Sequence, residues 1–202
     1  MHPSFLKSRA RNNLKGKWEV AIVTILLSFL VSVAVDFVFG KKYFEGDFYI
    51  FLIRLFFDAP VKLGMCIVFL AIGRGDNPQA SLIFEGFKNW LKSFLLIVLY
   101  YLYVILWSLL LVVPGIIKAI SYSMCFFIMA DEPDINASEA IRRSRLMMHG
   151  HKTEFFILNL SFLGWFVLSL LTFGVFFILY VGPLYLATVT EFYEALQESS
   201  DF

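Results

Sequence analysis

The sequence predicts an all-α protein, a polytopic transmembrane helical bundle of about six spans with amphipathic helices at the cytoplasmic interface. Three observations predict it. The composition is 59% hydrophobic and only 16% charged, at a mean hydropathy of +0.76, against roughly half apolar and about a quarter charged in a soluble domain. Several apolar runs approach the roughly 20 residues that a helix needs to cross the hydrocarbon core. Between them lie short segments with one apolar and one basic face, as interfacial helices have. The 24 Phe residues suit a lipid-facing surface, because an aromatic ring brings large apolar area without a charge to desolvate. A net charge of +1 argues against a broadly basic nucleic-acid binder.

The amino-terminal segment is basic (Lys7, Arg9, Arg11, Lys15, Lys17) and leads into an apolar run from Val20 to Phe39 whose one charge is Asp36. That run exceeds the roughly 7–15-residue core of a cleaved signal, and no Ala-x-Ala site follows it, so it reads as an uncleaved spanning helix. Residues 50–73 form a second span, with Arg54, Asp58, Pro60 and Lys62 in its first half and the apolar Leu63–Ile72 in its second. Residues 93–113 are a long apolar run ended by Pro114-Gly115, where a lost donor and a free backbone favour a break. Residues 116–130 make a short fourth span interrupted by Lys118. Residues 155–172 and 175–190 complete the set, parted around Thr172–Gly174, and Gly182-Pro183 should kink the last. The second and fourth are the least clean, and short spans tilt or re-enter.

Three polar segments share a pattern. Leu6, Ala10 and Leu14 line one face of a first helix, with Lys7, Arg11 and Lys15 on another. In 82–92, Ile83, Phe84, Phe87, Trp90 and Leu91 oppose Glu85, Lys88 and Lys92. In 137–149, Ala140, Ile141, Ser144, Met147 and Met148 oppose Glu139, Arg142, Arg143 and Arg145. Each has the apolar period of an amphipathic helix. The second and third follow Asp-x-Pro turns (Asp76 to Pro78, Asp131 to Pro133) and Ala-Ser pairs, in which Ser81 and Ser138 would be the N-caps. The chain therefore reads as one membrane domain, 1–202, in three units (1–75, 76–130 and 131–202), each an interfacial helix plus a transmembrane hairpin. Shared composition without shared ancestry explains the same pattern, and self-similarity at a fixed period separates the two readings.

Orientation follows from Lys and Arg. The N-terminal segment, 74–92 and 142–152 hold twelve of them, whereas the opposite side receives Lys41 and Lys42. With six spans, the basic segments and both termini fall on the cytoplasmic side; the tail from Glu191 to Asp201 is acidic and contributes little to orientation.

Arg54, Asp58 and Lys62 follow one another at i, i+4 and i+8, on one helix face. Ionisable groups inside a membrane are expensive and face a bundle interior or a wet cavity. Asp58, Lys62 and Lys118, with Asp36, are accordingly a candidate intramembrane polar cluster. The alternative is an outer interfacial helix over 46–60, broken or started at Pro60, whose charges stay in water, with Lys118 snorkelling outward. Arg142, Arg143 and Arg145 are candidate contacts for anionic headgroups, at about 1 kcal/mol per basic residue near an anionic surface; the same charges also set topology. The Tyr100, Tyr103 and Trp107 face either stacks a ligand or packs on neighbouring spans. Asn159, Ser161, Gly164 and Ser169 supply the small and polar contacts that helices in lipid prefer. Cys66 and Cys125 sit in apolar runs without a CxxC and read as buried free thiols. His149 and His151, with no cysteine nearby, make a poor zinc site. GxSxG, HExxH, P-loop and GxGxxG signatures are all missing, so no enzymatic activity, cofactor or metal is expected.

Several stretches resemble one family: Val113 to Met124 (VPGIIKAISYSM), Ala130 to Ile135 (ADEPDI), Ala137 to Ser144 (ASEAIRRS), Leu160 to Trp165 (LSFLGW) and Glu191 to Leu196 (EFYEAL). In these the chain is similar to the bacterial family of domain of unknown function 975, small integral membrane proteins found largely in Gram-positive bacteria. The resemblance covers nearly the whole chain, with the motifs in order. It implies a six-helix protein of the bacterial plasma membrane and supplies no catalytic residues. Its fold also looks similar to the membrane domain attached to some glycerophosphodiester phosphodiesterases, which points to a lipid-related setting by analogy alone. The expectation is a non-enzymatic, multi-pass protein of the bacterial cytoplasmic membrane that engages lipid or a membrane-active peptide. Its partners would be membrane lipids and a membrane peptide or protein, with no nucleic acid. The competing expectation is a small transporter or lipid flippase with an intramembrane polar cavity.

Overall fold

A computed structural model describes residues 2–39 and 47–199. The chain is all-helical, with no strand among the described residues. In order come α1 (Pro3–Asn13), α2 (Trp18–Phe39), α3 (Asp47–Gly73), a 3-10 segment (Ala80–Asn89) running straight into α4 (Trp90–Leu110), α5 (Val112–Ser121), α6 (Cys125–Asp131), α7 (Ala137–Met147), α8 (Lys152–Leu160), α9 (Leu163–Leu171), and a π turn (Phe177–Val181) entering α10 (Gly182–Ser199). Five stretches are long and apolar enough to cross a membrane: Trp18–Phe39, Phe51–Gly73, Ala80–Leu110, Val112–Asp131 and Lys152–Leu171. The sixth expected span, 175–190, is helical but divided by the π turn just ahead of Gly182-Pro183, and its second half continues to Glu191, Glu194 and Glu198. Lys41 and Lys42 lie outside the described residues.

Burial is distributed as lipid solvation requires. Phe29, Leu30, Phe37, Leu109, Leu110, Leu171 and Phe173 are exposed, an apolar surface too extensive for a water-soluble monomer. The spanning window of α2 is only 17% buried, whereas that of α3 is 61% buried. The third helix is thus the axis of the bundle, packed against α2, α4, α6, α10 and the 3-10 segment.

At Pro60 the structure departs from expectation. The helix runs unbroken from Asp47 to Gly73 with Pro60 inside it, so no separate outer helix ends there. Proline removes one backbone hydrogen bond, but Ala59 and Pro60 are buried and the Pro60 carbonyl abuts Gly86 of the 3-10 segment. Packing therefore holds the helix where propensity would break it.

The segment at 80–89 also differs from its expected form. Three residues per turn bring positions 80, 83 and 86 into line. Accordingly Ile83 and Gly86 are the buried residues, while Phe84, Trp90 and Leu91 are exposed. A methyl group on Gly64 would overlap the Ile83 carbonyl, and one on Gly86 would overlap the Pro60 carbonyl. The segment is clamped backbone-to-backbone on α3 through these two glycines, the close approach that small residues allow. The helix starts are likewise displaced, because Gln79 and Asn136 occupy the cap positions, with no side-chain cap bond, where Ser81 and Ser138 were expected.

The α4–α5 hairpin turns at Leu111, whose backbone is extended (φ −162°, ψ 143°), ahead of the expected Pro114-Gly115 break. Pro114 sits in the first turn of α5, where its missing N–H costs nothing, and Gly115 packs against Ser108. Ser144 of α7 closes the break between α5 and α6. Its hydroxyl donates to the Ser121 carbonyl at 3.0 Å and accepts from the Met124 N–H at 3.2 Å, serving two groups that a helix end leaves open. The expected apolar faces of α1 and α7 hold: Leu6, Ala10, Leu14, Ala140, Ile141, Ser144 and Met148 are buried. The three unit openings are not alike, since α1 and α7 are α-helices and the second is a 3-10 segment continuous with α4.

Gly86→Ala is expected to lower the melting temperature of the detergent-purified protein, through overpacking of about 1–3 kcal/mol. Gly164→Ala, whose added methyl meets nothing within 4 Å, should leave it unchanged.

Candidate functional site

Polar side chains converge where α1, α3, α6 and α10 end. Glu191, Glu194 and Glu198 recur at i, i+3 and i+7 along α10, on one face, turned toward Arg9 and Arg74. Arg74, just past the end of α3, holds Asp131 at 2.6 Å through Nη1 and Glu194 at 2.9 Å through Nε. The Gln197 amide donates to the other Asp131 oxygen at 2.7 Å, and the Tyr193 hydroxyl donates to it at 3.2 Å. The Asp131 hydrogen bond, with both carboxylates beside it, raises the Arg74 pKa. Burial, followed by the Asp131 charge, pushes the Tyr193 phenol well up.

Beside this group Glu191 is 1% exposed. Asn13 Nδ2 donates to its Oε1 at 2.5 Å and to the Gly73 carbonyl at 3.1 Å. Arg9 Nε lies 2.9 Å from Oε2, yet this oxygen receives no aligned hydrogen bond; the pairing is one of charge. Burial raises the Glu191 pKa from its ordinary value, opposed by the Arg9 charge and the Asn13 hydrogen bond. Lys7 anchors α1 at its other end, donating at 2.9 Å to the Ser161 carbonyl freed between α8 and α9 and lying 4.0 Å from the Phe162 ring.

Next to the convergence a cavity of about 600 Å³ opens between α6, α7 and α10. Its wall is apolar (Ile128, Leu146, Met147), its rim carries Glu132, Arg142 and Arg143, and Tyr193 and Gln197 join it to the polar cluster. A second depression lies along 132–136, Glu139 and Arg143. The rim arginines are paired. Arg142 donates to both Glu139 oxygens at 2.7 and 2.6 Å, and Arg143 donates to Glu132 at 2.5 Å and Glu139 at 3.2 Å. The Arg142 hydrogen bonds, ahead of those from Arg143, hold the Glu139 carboxyl down at about 2.

The family model described as a protein of unknown function (DUF975) matches residues 1–121 and 109–200. The chain belongs to this family. No curated protein and no solved structure matches it. Three of the five stretches that carry the DUF975 resemblance meet at this site: Asp131 and Glu132 from ADEPDI, Arg142 and Arg143 from ASEAIRRS, and Glu191, Tyr193 and Glu194 from EFYEAL.

The other residues singled out in the sequence have separate partners. Arg54 pairs with Asp36 at 2.7 Å, both half-exposed, and Asp58 lies 3.5 Å from the Ser32 hydroxyl. Lys62 sits 4.6 Å from the Phe126 ring and 5.5 Å from that of Tyr100. Asp58 and Lys62 are electrostatic neighbours, but Lys118 lies elsewhere, 4.3 Å over the Trp107 ring. None of the three lines the two cavities described. The Tyr100 and Tyr103 rings pack on Tyr122 at 6.4 and 6.1 Å, within their own hairpin, while Tyr103 and Trp107 stay exposed at its surface. Asn159 accepts from the Tyr185 hydroxyl at 2.8 Å, a contact between α8 and α10. Cys66 and Cys125 are buried free thiols, and His151 pairs with Glu154 at 3.0 Å.

Asp131, Arg74, Arg9, Asn13 and the α10 glutamates were not singled out as a site in the sequence. The one signal available was the helical spacing of Glu191, Glu194 and Glu198, which in isolation reads as an acidic tail.

Because protonation of Glu191 is easier in the folded state, its neutralisation favours folding as pH falls. The melting temperature of the wild type minus that of Glu191→Gln should therefore move in the wild type's favour between pH 8 and pH 5 on the order of a degree or more. A pH-independent difference would show that the Glu191 pKa is not raised on folding.

Proposed function

We propose that this DUF975 protein is a non-enzymatic, multi-pass protein of the bacterial cytoplasmic membrane that holds a membrane lipid in the cavity between α6, α7 and α10. The observation that carries this reading is the two-sided lining: Ile128, Leu146 and Met147 on one side, Arg142, Arg143 and Glu132 at the rim. A lipid presents both kinds of surface in one molecule, and such pockets combine apolar walls with a few placed polar groups. Six spans with both termini cytoplasmic fit the bias of Lys and Arg. The exposed apolar surface of α2, α4 and α9 supports residence in lipid. A membrane-active peptide segment has the same two-sided chemistry and is the other occupant this lining admits. The transporter or flippase reading draws on Asp58, Lys62 and Lys118, and the position of Lys118 over Trp107, away from Asp58 and Lys62, weighs toward holding rather than passage.

Native mass spectrometry of protein purified from its own membrane tests this. Wild type should retain lipid, and Leu146→Trp, which fills the cavity, should reduce retention about tenfold, the effect of losing roughly 1.4 kcal/mol of contact. Equal retention in both would refute the cavity reading, and a retained peptide in place of lipid would assign the peptide as occupant.

A further inference from the structure

Three cations gather where α5, α7 and α8 meet, apart from the cavity. The Ser144 hydrogen bond to the Ser121 carbonyl, at 3.0 Å, sets the adjacent Arg145 beside the last turn of α5. Lys118 lies one turn back from Ser121 in that helix. α5 also packs on α8, which begins at Lys152. Arg145 and Lys152 are the charges that act on the Lys118 ammonium.

Several other basic residues near helix ends are matched by acids: Arg9 by Glu191, Arg74 by Asp131, Lys92 by Asp134, Arg142 by Glu139. Lys118, Arg145 and Lys152 have no acidic partner among the described residues, and Glu154, two positions beyond Lys152, is engaged by His151. Like charges left together repel, more strongly in a low dielectric, unless an anion enters between them. Ammonium and guanidinium groups both donate charge-assisted hydrogen bonds to phosphate. Apolar surface adjoins the cluster on two sides, at Ile117 of α5 and at Phe156 of α8, both exposed. A phosphate carrying acyl chains fits both features.

We propose that Lys118, Arg145 and Lys152 form a site for the phosphate of an anionic glycerophospholipid headgroup. The site differs from the arginine row read in the sequence, since Arg145 leaves that row while Arg142 and Arg143 remain neutralised by Glu139 and Glu132. It rests on membrane residence and not on the cavity between α6, α7 and α10.

The full chain in detergent is titrated with phosphatidylglycerol, phosphatidylcholine or inorganic phosphate and followed by native mass spectrometry. Phosphatidylglycerol should bind the wild type, and Lys118→Gln/Arg145→Gln/Lys152→Gln should weaken it about tenfold or more, as expected for several basic residues acting together on an anionic lipid. Phosphatidylcholine should bind both proteins equally weakly. Lys118→Arg/Arg145→Lys/Lys152→Arg should retain phosphatidylglycerol, which separates lost charge from lost folding. Arg142→Gln/Arg143→Gln and Leu146→Trp should lose only the lipid held in the cavity and keep the phosphatidylglycerol binding that the glutamine triple variant loses, so failure of the cavity reading shows independently. Displacement of the lipid by inorganic phosphate supports a phosphate site that takes the free anion too; no displacement supports the lipid as its source. Unchanged phosphatidylglycerol affinity in the glutamine variant, or equal loss in the charge-retaining one, overturns the proposal.

Discussion

The contact between Gly64 of α3 and Gly86 of the 3-10 segment is the constraint from which the bundle's arrangement follows. In lipid, apolar side chains gain little by touching each other rather than acyl chains, so helices associate through close backbone approach and polar contacts. Neither glycine can carry a Cβ without overlapping the opposite backbone. With this approach fixed, Pro60 is enclosed and the third helix continues through it. The chain leaving the clamp then becomes α4 and pairs back along α3, as the Phe56–Trp90 and Phe51–Tyr101 ring contacts at 5.0 and 6.3 Å record.

Polar contacts do the corresponding task at the helix ends. Isolated surface ion pairs contribute little, but the Arg74, Asp131 and Glu194 group is partly buried and bonded from several sides, and truncating one member would strand the others. It joins the ends of α3, α6 and α10, while Arg9 and Asn13 bring in α1 through Glu191. The basic amphipathic helix α1 is therefore docked by its charges as well as by Leu6, Ala10 and Leu14. Ser144 and Lys7 act in the same way on a smaller scale, each supplying a bond to backbone that a helix break leaves open.

The balance of charge separates the two proposed binding surfaces. At the cavity rim the arginines are held by Glu132 and Glu139, which fixes their geometry and leaves the apolar wall as the larger attraction for a guest. Around Lys118 the positive charges have no acidic partner among the described residues. One cluster thus orients, and the other attracts an anion. That difference arises from pairing rather than from residue type, since both surfaces draw basic residues from the same short helix, α7.

Much was legible in the sequence because the reasons were local. Composition and run length picked out the five helices long and apolar enough to cross a membrane, among six expected, a period of 3.6 set the buried faces of α1 and α7, and the motifs of the DUF975 resemblance set the family. Three features depended on tertiary contact. The 3-10 form of 80–89 stacks Ile83 and Gly86 directly in line against α3, where an α-helix would leave them offset around its face, and nothing in that segment alone favours it. The continuity of α3 through Pro60 arises because enclosure by packing outweighs one lost hydrogen bond. The grouping of charges was hidden for the same kind of reason. Asp131 and Arg74 lie 57 positions apart, and spacing along a helix predicts only neighbours within a turn or two. The sequence by itself determined which segments are apolar and long enough to cross a membrane and which residues carry charge; the tertiary structure decided which charges neutralise one another, because electrostatic pairing depends on distance in space.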